Sequence, residues 1–199
     1  MGGFLKGHDL EKDTDSWSGG GGEQPAIPDK TRVLAFVERA ESKQWEGDRH
    51  PHVSMQWRVV APEQYKGRVI FEGLKVFDER DWLRQRSVEA LIFIDRSMGG
   101  GVIDYLQADD SATPCDDDCP LSSWVAKSAV QLEVGVYKVN KKERNNIKGM
   151  SLPKDVKAAR EAMDAYIATN GAPMGDAFSD DGDAFSDDGD DDPFNGLPF

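Results

Sequence analysis

An alternation of apolar and polar residues over residues 52–60 constrains the fold of this chain more than any other segment. The apolar residues occupy the odd positions, Val53, Met55, Trp57 and Val59. Because successive side chains of a β-strand point to opposite faces, a period of two places these four on one face. The segment therefore predicts a strand with one buried face, which requires neighbouring strands in a sheet.

Weaker patterns along the chain complete a set of strands and helices. Apolar-rich segments predict further strands over residues 31–41, 68–77, 130–140 and 147–152. Apolar residues spaced by three and four predict helices over 78–96 and 155–168, with a short helix over 102–107. Residues 141–146 are all polar, so we interpret them as a turn. The order is three strands, a helix, two strands and a helix.

This order predicts an α+β, mainly β, domain. It is the plan of the five-stranded oligonucleotide-binding barrel, the OB-fold, with a helix between its third and fourth strands. An SH3-like barrel or a generic α+β sheet would have a similar order and stays an alternative. The chain divides into a flexible arm (1–29), the OB-fold domain (30–170) and a tail (171–199). The arm contains four consecutive glycines followed by prolines, which disfavour regular structure.

The last 24 residues differ sharply in composition from the rest of the chain. Residues 176–199 carry nine Asp, four Phe and no Lys or Arg, and the heptapeptide DAFSDDG occurs twice. Such a segment cannot bury enough apolar surface to offset its ordering entropy, so we expect it to be disordered. Phe side chains displayed between acids suit capture by a partner. A tail that only keeps the protein soluble would have the same composition.

The charge of the chain is concentrated in this tail. The formal net charge is −13, but residues 30–150 contain 19 acidic and 19 basic residues. The predicted domain is therefore nearly neutral overall. A neutral domain that binds nucleic acid has to concentrate its bases on one face.

Bases and aromatic residues, the two requirements of single-strand binding, coincide in two predicted loops. Trp45 lies between Lys43 and Arg49 in a polar loop, and Tyr137 precedes a basic turn. In an OB-fold these two loops flank the binding face. The candidate nucleic-acid-binding residues are Lys43, Trp45, Arg49, Arg58, Lys66, Arg68, Tyr137, Lys138, Lys141, Lys142, Arg144 and Lys148. Other aromatic residues lie in apolar periodic segments and are assigned to the core, namely Trp57, Phe71, Trp82 and Trp124.

Catalytic and metal-binding motifs are absent from the sequence. There is no GxSxG, no GxGxxG and no phosphate-binding loop. We therefore expect no enzymatic activity, although the many carboxylates leave an enzyme such as a nuclease open. Cys115 and Cys119 flank three Asp, but zinc needs two more ligands at fixed spacing. His50 and His52 likewise lack further ligands, so we expect neither a metal nor another cofactor.

Targeting signals are also absent. The N-terminus lacks a basic start with an apolar core, and no run of 18 apolar residues occurs. Two cysteines do not suggest the disulfide framework of a secreted protein. We therefore expect a cytoplasmic protein with no membrane partner, in the host cytoplasm if the protein is viral.

Three segments are similar to parts of known proteins. The tail ends in Asp190, Asp191, Asp192, Pro193 and Phe194, and the ending is repeated in Leu197, Pro198 and Phe199. An acidic run followed by Pro-Phe resembles the end of bacterial single-stranded DNA-binding proteins. Residues 65–71 and 143–149 resemble segments of phage single-stranded DNA-binding proteins, which also have acidic, Phe-terminated tails. Within residues 97–125, the resemblance does not extend to the three glycines at 99–101 or to the Cys115–Cys119 loop.

The resemblance implies a function. It implies an OB-fold that coats and protects single-stranded DNA during replication, recombination and repair. It further implies that residues 190–194 and 197–199 recruit a replication or recombination enzyme, such as a polymerase, an exonuclease or a helicase. Cooperative coating would be compatible with a homo-oligomer or an array on DNA. The residues alone leave an alternative, a protein-interaction module with a small β-barrel, an acidic tail and no nucleic acid.

Overall fold

In the computed structural model, residues 25–44, 48–139 and 141–173 are described, and they form three helices and one antiparallel sheet. The strands are β1 (Thr31–Lys43), β2 (His52–Ala61), β3 (Val69–Leu74), β4 (Ala129–Val139) and β5 (Lys142–Ser151). The helices are α1 (Asp81–Met98), α2 (Val102–Ala108) and α3 (Val156–Asn170). The predicted α+β class, with helix between the third and fourth strands and after the fifth, is confirmed. None of the described helices is long and apolar enough to cross a membrane.

Some predictions concern residues outside this description. The predicted arm up to residue 24, the acidic tail from residue 174 and the loop residue Trp45 lie outside the described residues. The tail residues of the predicted partner site lie there as well, namely Asp190, Asp191, Asp192, Pro193, Phe194, Leu197, Pro198 and Phe199. The described chain begins at Pro25, and residues 25–29 pack against the sheet.

The strands run in the order β3-β2-β1-β4-β5, so β3 and β5 are the edges of the described sheet. The closed hydrogen-bonded barrel predicted from the sequence is therefore not formed. The edges nevertheless approach each other, because irregular pairings in β1 and β5 increase the local twist. In this gap, side chains take the place of a ladder of backbone hydrogen bonds. Arg86 of α1 donates a hydrogen bond to the Ile147 carbonyl of β5 at 2.7 Å.

The main core lies on the inner face of this curled sheet. The alternating residues of β2 are all buried there, which confirms the predicted strand. Trp57 and Trp124 are fully buried, as predicted, whereas the core assignments of Phe71 and Trp82 are wrong. Phe71 is 61% exposed because it lies opposite Gln56, on the polar face of β2. Trp82 is 46% exposed in the first turn of α1.

The C-terminal helix α3 packs on the other side of the sheet. The second apolar cluster comprises Phe36, Val60, Ala129, Ala159 and Met163. The helix begins after Asp155, whose carboxylate accepts a hydrogen bond from the Ala158 N–H at 2.9 Å. Such a cap satisfies a backbone donor that has no partner within the helix. The helix thus covers the outer side of β1, β2 and β4 in part, and Phe71 on β3 stays exposed.

The β4–β5 connection differs from the prediction. Residues 142–146, which the sequence assigns to a turn, belong to β5. Val139 pairs with Lys142, so only two residues join the strands, and Lys141 adopts a φ of 66°. Tight hairpin loops require such positive φ values. The sequence assigns this part of β5 to a turn because residues 142–146 are all polar and none is buried, so no apolar alternation marks them as a strand.

Candidate nucleic-acid interface

The outer face of the sheet is the side of β2 that carries Ser54, Gln56 and Arg58. Residues directly opposite each other in antiparallel strands share a face. The register therefore places Phe71 of β3 and Arg39 of β1 on this face, on either side of Gln56. Because Phe71 is 61% exposed, its ring is accessible to a planar ligand.

Arg58 is the most firmly held base of the outer face. Its guanidinium forms a bidentate ion pair with Glu38, with N–O distances of 2.7 to 2.9 Å. It also donates a hydrogen bond to the Gly67 carbonyl. Both side chains of the pair are only 23% exposed. A partly buried bidentate pair of this kind keeps a rigid geometry, so Arg58 mainly orders the face.

Two further bases of this face share a single carboxylate. Glu41 lies 2.7 Å from Arg39 and 2.9 Å from Lys43, measured between charged atoms. Both bases are more exposed than Arg58. Exposed ion pairs contribute at most about 1 kcal/mol. Arg39 and Lys43 can therefore exchange a carboxylate for a phosphate at little cost.

The connections at the ends of these strands carry additional predicted bases. Arg49, between β1 and β2, lies 2.7 Å from Glu79, which precedes α1. Lys66, just before β3, lies 3.3 Å from Glu63. His52 is buried, and this burial lowers its pKa. The imidazole is therefore neutral at pH 7 and adds no positive charge to the surface.

The β4–β5 hairpin carries the second group of predicted bases. Tyr137 and Arg144 lie directly opposite each other. Lys138 lies 3.5 Å from Glu143, so this base is paired within the hairpin. The structure thus brings together the predicted hairpin residues, Tyr137, Lys138, Lys141, Lys142 and Arg144.

A segment that we name the strap, residues 25–29, connects β3 with the β4–β5 hairpin. Arg68, just before β3, donates a hydrogen bond to the Pro25 carbonyl at 2.6 Å. The Ile27 backbone donates to and accepts from the Asn145 side chain of β5, at 2.9 and 2.8 Å. The Ile27 side chain is buried in the main core. The strap therefore bridges the gap between the sheet edges and contacts a predicted base on the way.

Two residues of the outer face, Phe71 and Arg39, are missing from the sequence-predicted site. The signal that could have identified Phe71 is the alternation of inward and outward side chains along β3. Ile70 and Leu74 are buried and share one parity, which leaves Phe71 on the opposite face. The inward Glu72 hides this alternation, because a carboxylate among core positions breaks the apolar pattern.

The loop that contains Cys115 and Cys119 has no reactive thiol at neutral pH. Burial raises the pKa of the Cys115 thiol and raises that of Cys119 to about 11. Both thiols are therefore protonated at neutral pH, which makes them poor nucleophiles. Within residues 25–44, 48–139 and 141–173, no three His, Cys, Asp or Glu side chains are arranged to hold a metal ion.

Comparison with known proteins adds no assignment to these surfaces. A scan against models of protein families finds no match for the chain, and a search of curated proteins likewise finds none.

Proposed function

We propose that this chain is a non-enzymatic single-stranded DNA-binding protein, and that its sheet is an OB-fold barrel opened along the seam between β3 and β5. The strand order and the approach of the two edges support the fold proposal, because pairing β3 with β5 would close a five-stranded barrel. The helix between β3 and β4 is also in the position that the OB-fold requires.

The observation that carries the functional proposal is the exposed ring of Phe71, which lies opposite the polar Gln56 on the part of the outer face that α3 does not cover. Burying a phenylalanine on the inner face would stabilise the fold by roughly 1.5–3 kcal/mol. The exposed position of Phe71 does not provide this stabilisation. Gln56 and Arg39 extend from this ring across the sheet. An aromatic platform beside bases is what unpaired nucleotides bind, since every base has a face that can stack.

The same surface favours single strands over duplex DNA. In a duplex the base faces are stacked on one another, and Phe71 could contact only edges or backbone. The described bases are largely paired with acids, so long-range attraction for phosphate is weak. Stacking then contributes a larger share of the binding energy than in strongly basic proteins. We therefore expect a clear preference for single strands and a moderate dependence on salt.

The test compares Phe71→Ala with the unmodified chain. We expect the variant to bind oligothymidylate more weakly by roughly 1–3 kcal/mol, the usual contribution of one stacked base. Fluorescence anisotropy with a labelled oligonucleotide, and with a duplex of the same length, measures this at several salt concentrations. Leu152→Ala is the matched control, because Leu152 is also 61% exposed but lies beyond the end of β5.

Two results would contradict the proposal. One is equal affinity of the unmodified chain for single strands and duplex. The other is an equal loss from Phe71→Ala and Leu152→Ala, which would make the exposed ring irrelevant to binding. Thermal unfolding of both variants checks that neither result comes from a damaged fold.

The alternative function is a protein-interaction module without nucleic acid. The bidentate pair of Arg58 with Glu38 favours this alternative, because a base held in this way is not available to a phosphate. Absence of oligonucleotide binding even at low salt would select it. Phe71 would then be the centre of a contact with another protein.

The acidic tail has a proposed role in the same function. Nine Asp linked to the domain form a polyanion at an effective concentration on the order of millimolar. Deleting residues 176–199 should therefore strengthen oligothymidylate binding several-fold in low salt, because the tail no longer competes for the bases. We also expect the deletion to abolish co-precipitation of a polymerase or exonuclease.

A point variant separates the two effects of the tail. Phe199→Ala leaves every charge in place, so it should weaken capture of the partner enzyme and leave DNA affinity unchanged. If the truncated chain binds DNA no more tightly and retains its partners, the tail only keeps the protein soluble.

A further inference from the structure

The strap places a carboxylate directly beside a base of the candidate interface. Asp29 lies 2.8 Å from the Lys148 ammonium group and accepts a hydrogen bond from the Val136 N–H at 3.3 Å. The hydrogen bond from Lys148 lowers the pKa of Asp29, and Val136 and Lys30 act in the same direction. The carboxylate is therefore ionised at neutral pH. Lys148 itself lies over Gly135, where a Cβ would collide with it.

The position of Asp29 is set by its neighbours in the chain. Ile27 is 1% exposed and shares two hydrogen bonds with Asn145. On the other side, the Lys30 N–H donates to a backbone carbonyl of β4 at 2.8 Å. These two anchors fix the backbone on either side of Asp29, next to Lys148. The pair itself is exposed, with 44% of Lys148 and 42% of Asp29 accessible, so another anion can reach it.

An ammonium group and a backbone N–H are also the donors that a nucleic-acid phosphate uses. We propose that Asp29 is a built-in competitor that occupies Lys148 and thereby weakens nucleic-acid binding at the hairpin side of the interface. The inference rests on the proposed function, since it concerns regulation of the same surface. Arg68 contacts the same strap through the neutral Pro25 carbonyl, which does not repel phosphate as a carboxylate does.

The test is Asp29→Asn in the full chain, with labelled oligothymidylate as the probe. Asparagine keeps the shape of the side chain and an acceptor for the Val136 N–H, but it removes the charge. We expect affinity in low salt to rise roughly threefold, in line with the strength of an exposed ion pair. The slope of log affinity against log salt should steepen by about 0.7, as for one added phosphate contact on a single strand.

Two controls isolate the role of Lys148. Glu89→Gln, on the exposed side of α1, changes the net charge equally and should leave affinity unchanged. Asp29→Asn should give no gain when Lys148→Ala is also present, because no base is then released. A gain that survives Lys148→Ala, or that Glu89→Gln reproduces, would reduce the effect to net charge and overturn the inference.

The remaining outcomes distinguish this inference from the proposed function. If the unmodified chain binds oligothymidylate and Asp29→Asn binds it equally, the competitor role is wrong and the proposed function stands. If neither chain binds the oligonucleotide, the proposed function fails and the inference fails with it. Thermal unfolding of Asp29→Asn confirms that the strap remains anchored.

Discussion

Replacing Asp95 with alanine is expected to lower the free energy of unfolding by about 4 kcal/mol. Asp95 is 1% exposed near the end of α1, and its carboxylate accepts three hydrogen bonds. One oxygen accepts from the Trp124 indole at 2.8 Å and from the Val102 N–H at 3.0 Å. The other accepts from the Ile103 N–H at 3.1 Å. Alanine would leave these donors without a partner, and each orphaned buried donor costs about 1–3 kcal/mol.

Asparagine at the same position provides a graded comparison. The two shortest hydrogen bonds share one oxygen of Asp95, and Asp95→Asn can retain that oxygen. Only the Ile103 N–H would then meet the NH₂ group of asparagine, which is not an acceptor. We therefore expect a loss of roughly 1–2 kcal/mol for this variant. Asp104→Ala, an exposed acid on α2, should stay within about 0.5 kcal/mol of the unmodified chain. Urea unfolding at pH 7 measures all three variants, and equal stability of the two Asp95 variants would contradict this account.

The Asp95 network marks one limit of what the sequence could predict. Three consecutive glycines follow α1 with positive φ values, which favour glycine, and the helix predicted over 78–96 ends within two residues of Met98. The bond from Trp124 to Asp95 spans 29 positions, and no local pattern reports such a pair. The sequence assigned Trp124 to the core because of its apolar neighbours. Its hydrogen-bond partner, Asp95, could be identified only from the fold.

Strong periodicity made most of the elements predictable. The strand expected over residues 52–60 is His52–Ala61, and the helix expected over 155–168 is Val156–Asn170. Both have one buried face, so the core imposes its period on the sequence. The charged strand β5 lacks this constraint over most of its length. The β4–β5 hairpin is fixed by backbone pairing with β4. This pairing leaves no pattern of apolar residues in the sequence.

The candidate site was predictable in composition but not in arrangement. The sequence identified bases and aromatics near two loops, and it could not assign partners to the bases. Arg58 pairs with Glu38 across the β1–β2 ladder, and Arg49 pairs with Glu79 some thirty residues away. These pairs convert an apparently basic surface into a nearly neutral one. Stacking on Phe71 therefore has greater weight in the proposed function than charge.

The seam between β3 and β5 contains a carboxyl group in an unusual position. Glu72 lies opposite the buried Met55, so it points to the inner face of the sheet. The residue is half-buried, but its carboxyl group is nearly enclosed, and this burial raises its pKa to about 7. Arg86 and a hydrogen bond from the Ile147 backbone oppose the rise without cancelling it. Glu72 lines a small cavity beside α1, about 40 Å³, whose other charged lining residues are Lys75 and Arg86.

This pKa makes the stability of the domain depend on pH. Between the ordinary value of 4.5 and about 7, the folded state keeps the Glu72 proton while the unfolded state has lost it. Stability rises with pH only where the unfolded state binds more protons, so here it falls as pH increases. A shift of this size corresponds to roughly 3 kcal/mol. The contribution is fully present below pH 4.5 and is lost by pH values above about 7.

Glu72→Gln should remove this dependence, because glutamine resembles the protonated acid at every pH. We expect the variant to match the unmodified chain near pH 4.5 and to exceed its stability at pH 8 by up to roughly 3 kcal/mol. Urea unfolding at pH 4.5, 6, 7 and 8 measures the difference between the two chains, in which the titration of all other groups cancels. Glu89→Gln, an exposed acid on α1, should show no such trend. A difference that stays constant with pH would mean that water reaches Glu72 freely, and that the seam between β3 and β5 is open to solvent.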